Sequence, residues 1–133
     1  MQPYIKLYLD SLNSENSKKA VIKNLRAIFS RISPFTTLTD QVAVDFCWHK
    51  LPLSEYSKLK SDLLNEAKSS SYINTLMTIL RQVLSWALID GKISGKSLED
   101  IKHVIKSVSS NKKRQVEQSY DDDEVDLNWL IGQ

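Results

Sequence analysis

Within residues 71–93, SYINTLMTILRQVLSWALIDGKI, four polar side chains recur at intervals of four and three: Asn74, Thr78, Arg81 and Ser85. On a helix that spacing puts an amide, two hydroxyls and a guanidinium on one narrow stripe. Ile73, Leu76, Met77, Leu80, Val83, Leu84 and Ala87 fill the remaining arc. A helix this apolar is mostly buried, so its polar edge is where chemistry is expected. Asn74, Thr78 and Arg81, with Thr75 beside them, are types that hydrogen-bond phosphates and base edges in a DNA major groove. The hydroxyls and the amide can equally cap or solvate the first turns. Arg81 is the sharpest member, because a guanidinium in an apolar helix must reach an acceptor, either a duplex or a carboxylate such as Asp62 or Glu66.

A second set lies upstream. Lys19, Lys23 and Arg26 stand at i, i+4 and i+7, which aligns three cations on one helical face at a spacing that can straddle successive phosphates. Lys18 adjoins the start of that face, and the bland alternative is a solvated helix surface. Lys92, Lys96 and the cluster Lys112, Lys113, Arg114 are weaker phosphate-contact candidates. The charge distribution is lopsided. All 18 Lys and Arg fall in residues 1–116 against ten acids there, a net +8, whereas residues 117–133 hold six acids and no base. A basic body can displace the counterions condensed on a nucleic acid, although an ordinary surface can carry the same balance.

Positioning these groups falls to helices. Glycine is scarce, no alternating β-branched run occurs, and apolar residues recur at helical spacing, so the chain is read as all-α, a compact bundle of four to five helices. The first is expected over residues 4–12 after Pro3, with Ile5, Tyr8, Leu9 and Leu12 inward. The second spans residues 17–32, with Val21, Leu25, Ile28, Phe29 and Ile32 inward. A third begins with Thr39 or Asp40 as N-cap and continues to about residue 50, where Pro52 interrupts. Residues 53–68 allow a short helix from Ser54. The main helix follows the serines at 69–71 and stops at Gly91, a C′ residue suited to left-handed geometry. Residues 92–96 form a turn, and Ser97 caps a last helix with Asp100 at the capping-box spacing.

Residues 1–108 thus form one domain, 109–119 a polar, basic linker, and 120–133 an acidic segment followed by Val125, Leu127, Trp129, Leu130 and Ile131. A chain of 133 residues with 41% hydrophobic residues buries a real core. No apolar run reaches the roughly 20 residues of a membrane span, and residues 1–10 lack the order of a signal peptide, which suggests a cytosolic protein. Cys47 is the single cysteine; with no Cys or His set at metal spacing around it, it is expected to be a small buried apolar group, with no metal or cofactor. Tyr8, Trp48 and Trp86 sit where helices present core aromatics.

Asn74, Met77, Leu80, Arg81, Val83, Leu84, Trp86, Ala87, Gly91 and Ile93 resemble the fourth-helix pattern T-x-N-x-x-L-x-x-L-R-x-F-F-x-Y-A-x-x-x-G-x-I of the core-binding, or SAM-like, domain of tyrosine recombinases and phage integrases. Tyr72, near a usual small hydroxyl residue, and Val83 and Leu84, where aromatics are common, depart from it. The likeness covers roughly residues 1–106. It implies a double-stranded DNA partner, neighbouring protomers on that DNA touching through the first helix, and neither a membrane nor a small-molecule substrate. The region around Glu124 and Leu127 looks like the opening of a catalytic domain, as in a truncated recombinase.

By that resemblance, Lys18, Lys19, Lys23 and Arg26 would hold backbone while Asn74, Thr75, Thr78 and Arg81 approach the major groove. Strand exchange would need a nucleophilic tyrosine with Arg and His donors around a pentacoordinate phosphate. No H-x-x-R element occurs: His49 is followed three positions on by Pro52, and His103 by Lys106. The chain is therefore expected to bind DNA without catalysing its exchange. The competing expectation is a regulator or interaction module with the same helices, docking a partner through Trp129, Leu130 and Ile131.

Overall fold

Pro3 opens α1 (Pro3–Asp10) from the N1 position, where its fixed φ suits a first turn and no amide is missed. The computed structural model describes residues 1–108. The expectations for the linker at 109–119 and for the tail at 120–133, including Trp129, Leu130 and Ile131, lie outside the described residues. These hold six α-helices and one short 3-10 turn, with no strand: α1, α2 (Glu15–Ile32), α3 (Asp40–Asp45), the 3-10 turn Trp48–Lys50, α4 (Leu53–Asn65), α5 (Ser70–Ile89) and α6 (Gly95–Val104). The all-helical class is as expected, with more helices than four to five.

Serine and threonine set most of the starts. Ser14, Thr39, Ser69 and Ser94 each accept the backbone N–H three residues on, capping α2, α3, α5 and α6. Several boundaries differ from expectation: α1 ends at Asp10 rather than residue 12, and α2 starts at Glu15 rather than residue 17. The last helix is capped by Ser94 rather than Ser97, whose own N–H is the group being capped. The third helix stops at Asp45 instead of running to residue 50, because Phe46 leaves helical geometry (φ −59, ψ 142). That bend lets three aromatics pack edge to face, with Phe29 to Phe46 at 5.2 Å and Phe46 to Trp48 at 4.8 Å between ring centroids. α4 is also longer than expected, burying Tyr56, Leu59 and Leu63.

Helix α5 is the axis of the bundle and packs against α1, α2, α4, α6 and the 3-10 turn. Its residues Ile73, Leu76, Met77, Ile79, Leu80, Val83, Leu84 and Ala87 are all buried. Val21, Leu25, Ile28 and Phe29 of α2 and Tyr4, Ile5, Tyr8 and Leu9 of α1 join the same core. Trp48 is fully buried and donates its indole N–H to the Ala43 carbonyl at 3.0 Å, while the Tyr56 hydroxyl donates to the Trp48 carbonyl. Trp86 is half-buried against this core. Cys47 is half-buried rather than buried, with its Sγ accepting from Gln2 Nε2 at 3.4 Å.

Gly91 has the left-handed φ of +76 expected of a C′ residue. Its N–H donates to Leu88 O at 3.0 Å and that of Lys92 to Ala87 O at 2.9 Å, the paired bonds of a Schellman stop. The chain thereby reverses into α6, whose Leu98 and Ile101 pack back onto the core.

Candidate nucleic-acid interface

Along α2, burial and charge separate cleanly. The inner face is apolar, and Lys19 and Lys23 are exposed on the outer one. Arg26 is partly exposed and pairs with Asp40 at the start of α3 at 3.2 Å, which leaves its Nε–H buried without an acceptor. With Ile22, these four residues line a recess of about 320 Å³. Lys18 turns back to Glu15 at 3.2 Å and Lys92 to Asp90 at 3.7 Å. Of the ten carboxylates in residues 1–108, eight stand in ion pairs. None of the eight pairs engages Lys19 or Lys23.

The polar stripe of α5 has a different setting. Asn74 and Arg81 are half-buried, Thr75 and Thr78 exposed. Asn74 Nδ2 donates to Val108 O at 3.0 Å, and its Oδ1 accepts the Val108 N–H at 2.7 Å. Arg81 Nη1 donates to Ile105 O at 2.8 Å, and its Nη2 to Thr78 Oγ1 at 3.0 Å. The Arg81 acceptors are therefore a main-chain carbonyl and a hydroxyl, neither Asp62 nor Glu66. Asp62 pairs instead with Lys58 at 3.1 Å, and Glu66 with Arg31 at 2.8 Å.

From Arg81 to Asn74 α5 descends about 10 Å, and residues 105 to 108, if extended, cover about the same length. The chain leaving α6 thus runs antiparallel to α5 and is held at both levels. Lys60 of α4 completes the clamp, with its ammonium donating to Lys106 O at 2.8 Å and Val104 O at 3.4 Å. Two cations therefore sit at the carbonyl end of α6, where the helix dipole is negative. Partial burial, with Lys106 and Arg81 nearby, holds the Lys60 ammonium below its usual range.

Asn74, Thr75 and Thr78, with Ser71 and Ile79, line a second recess of about 420 Å³. Asn74, Thr78 and Arg81 are thus brought together, as are Lys19, Lys23 and Arg26. No lining residue is common to the two recesses, and no hydrogen bond or ion pair among the described residues joins the sets.

Lys60 was not anticipated, although Tyr56, Leu59 and Leu63 at i, i+3 and i+7 mark a buried stripe with Lys60 at its edge. Nor was the pairing of Tyr4 with His49. The Tyr4 hydroxyl lies 2.8 Å from His49 Nδ1, and burial pushes its pKa up to about 12. It therefore stays protonated, and which of the two groups donates follows from the His49 tautomer. Partial desolvation, with Lys50 and Lys92 adding repulsion, holds His49 below its ordinary value.

No helix among the described residues is long and apolar enough to cross a membrane. Comparison of the chain with protein-family models, curated proteins and solved structures finds no match.

Proposed function

We propose that this chain is a duplex-DNA-binding helical domain of the tyrosine-recombinase core-binding kind, gripping the backbone of a recombination half-site through α2. The observation that carries this is the exposed pair Lys19 and Lys23, one turn apart and engaged by none of the eight ion pairs. Arg26 extends the row and can exchange Asp40 for a phosphate. A strongly charged helix face beside a recess suits a phosphate ridge better than a small apolar ligand.

Base reading is the smaller part of this proposal. Asn74 and Arg81 already hold the protein's own main chain, so presenting them to a duplex costs the release of residues 105–108. Thr75 and Thr78 are the hydroxyls on that edge open to solvent. A grip dominated by phosphates is sequence-tolerant. Strand exchange belongs, in this proposal, to parts of a recombinase beyond these helices.

Fluorescence anisotropy with a short random-sequence duplex, titrated at salt concentrations from about 50 to about 200 mM, tests it. Three neutralised phosphates give a log–log slope between about −2 and −3, at about 0.9 per phosphate. Absence of binding at the lowest salt would remove the DNA reading and favour a protein-interaction module.

A further inference from the structure

The same face of α2 fits a second occupant carried by the chain itself. We infer that the acidic run Asp121, Asp122, Asp123 and Glu124, with Val125 behind it, docks in the recess lined by Lys19, Ile22, Lys23, Arg26 and Asp40, where three cations outweigh the one carboxylate. Its regulatory meaning, competition with a duplex, rests on the DNA-binding reading; the docking itself does not.

Charge complementarity is the first argument. Residues 117–133 carry six acids and no base, while Lys19 and Lys23 are engaged by no ion pair within residues 1–108. The cations around residues 104–108 are poorer targets, because Lys60 and Arg81 already donate to carbonyls there. The lining gives the second argument. Ile22 puts an apolar side chain among the cations, and the Nε–H of Arg26 is a buried donor with no acceptor. An acidic run followed by valine offers carboxylate acceptors and one apolar group.

Reach is the third. The clamp fixes Val108 against Asn74, two residues from Tyr72, which neighbours Arg31 of α2. From Arg31 back to Lys19 is about 18 Å along the helix. Eleven residues lie between Val108 and Tyr120, and the twelve steps can span up to about 40 Å, enough to cross the width of a helix and follow α2 to the recess.

The test needs no DNA. Amide NMR spectra of the full chain are compared at low salt with those of the quadruple variant Asp121→Asn, Asp122→Asn, Asp123→Asn, Glu124→Gln. Docking shifts the amides of residues 19–26 between the two proteins, independently of protein concentration, and the difference fades as salt screens the contact. Charge reversal from the other side, Lys19→Glu with Lys23→Glu, shifts the amides of residues 121–125 in the same full chain. Superimposable α2 resonances would overturn the inference, and shifts that grow with protein concentration would replace it with docking onto a second copy. If docking is seen, random-duplex affinity of the neutralised variant rises several-fold. Docking without duplex binding by either protein would leave this contact standing and remove the DNA reading alone.

Discussion

The carboxamide of Asn74 holds both polar groups of one peptide unit's residue, donating to the carbonyl of Val108 at 3.0 Å and accepting its N–H at 2.7 Å. Held from both sides, the segment after α6 has a fixed register against α5 before the chain passes out of the described residues. Seven residues along α5, Arg81 repeats the grip on Ile105 O.

Asn74→Leu abolishes both bonds, and Asn74→Asp keeps only the acceptor. The first is expected to cost about 1–2 kcal/mol and the second less, since a hydrogen bond contributes about 1 kcal/mol net and an unpaired buried group costs more. Denaturant unfolding gives the energies. Hydrogen exchange at the Val108 N–H should quicken in Asn74→Leu and much less in Asn74→Asp, which keeps its acceptor, with the helical amides of α5 unchanged in both.

At the centre of the core, the Trp48 carbonyl accepts the Tyr56 hydroxyl. Tyr56→Phe is expected to lose about 1 kcal/mol, because the Trp48 carbonyl keeps only the longer bond from the Leu51 N–H at 3.4 Å. Trp48→Ala loses about 3–5 kcal/mol through its cavity. Thermal and denaturant melts of the two variants check the ordering, and an equal loss would mean that the ring contributes no more than its neighbour's hydroxyl.

His49 gives the fold a pH dependence. Its folded pKa lies below the ordinary 6.5, so the unfolded chain takes up the proton first as pH falls. Stability is full above about 6.5 and declines on the acid side until the folded pKa is passed. His49→Gln keeps an acceptor near the Tyr4 hydroxyl without titrating. Between about pH 7.5 and about pH 5 the wild type should lose more unfolding free energy than this variant, because the carboxylates Asp45 and Glu66, held low by the N-terminal amine and Arg31, titrate further down.

How much of this was legible in the sequence depends on whether the partner of each group is near or far along the chain. The inner faces of α1, α2 and α5 are repeating local patterns and were readable, as was Gly91, whose type announces its φ. The stripe of Asn74, Thr78 and Arg81 was visible too, but its acceptors are main-chain atoms at Ile105 and Val108, to which side-chain spacing is blind. The early end of α3 was hidden because Phe46 continues an apolar pattern, and its edge-to-face contacts with Phe29 and Trp48 are made across the fold rather than along the local sequence. Ser94 and Ser97 are both chemically able to cap, and local sequence does not choose between them.

One paired titration bears most directly on whether α2 is the DNA-binding face. Lys19→Gln with Lys23→Gln, and separately Thr75→Ala with Thr78→Ala, are measured against the wild type on a random duplex across the salt series. The α2 pair is expected to flatten the log–log slope by about 2 and weaken binding to every sequence alike, whereas the α5 pair leaves the slope unchanged. A slope unmoved by the α2 pair but flattened by the α5 pair would contradict it.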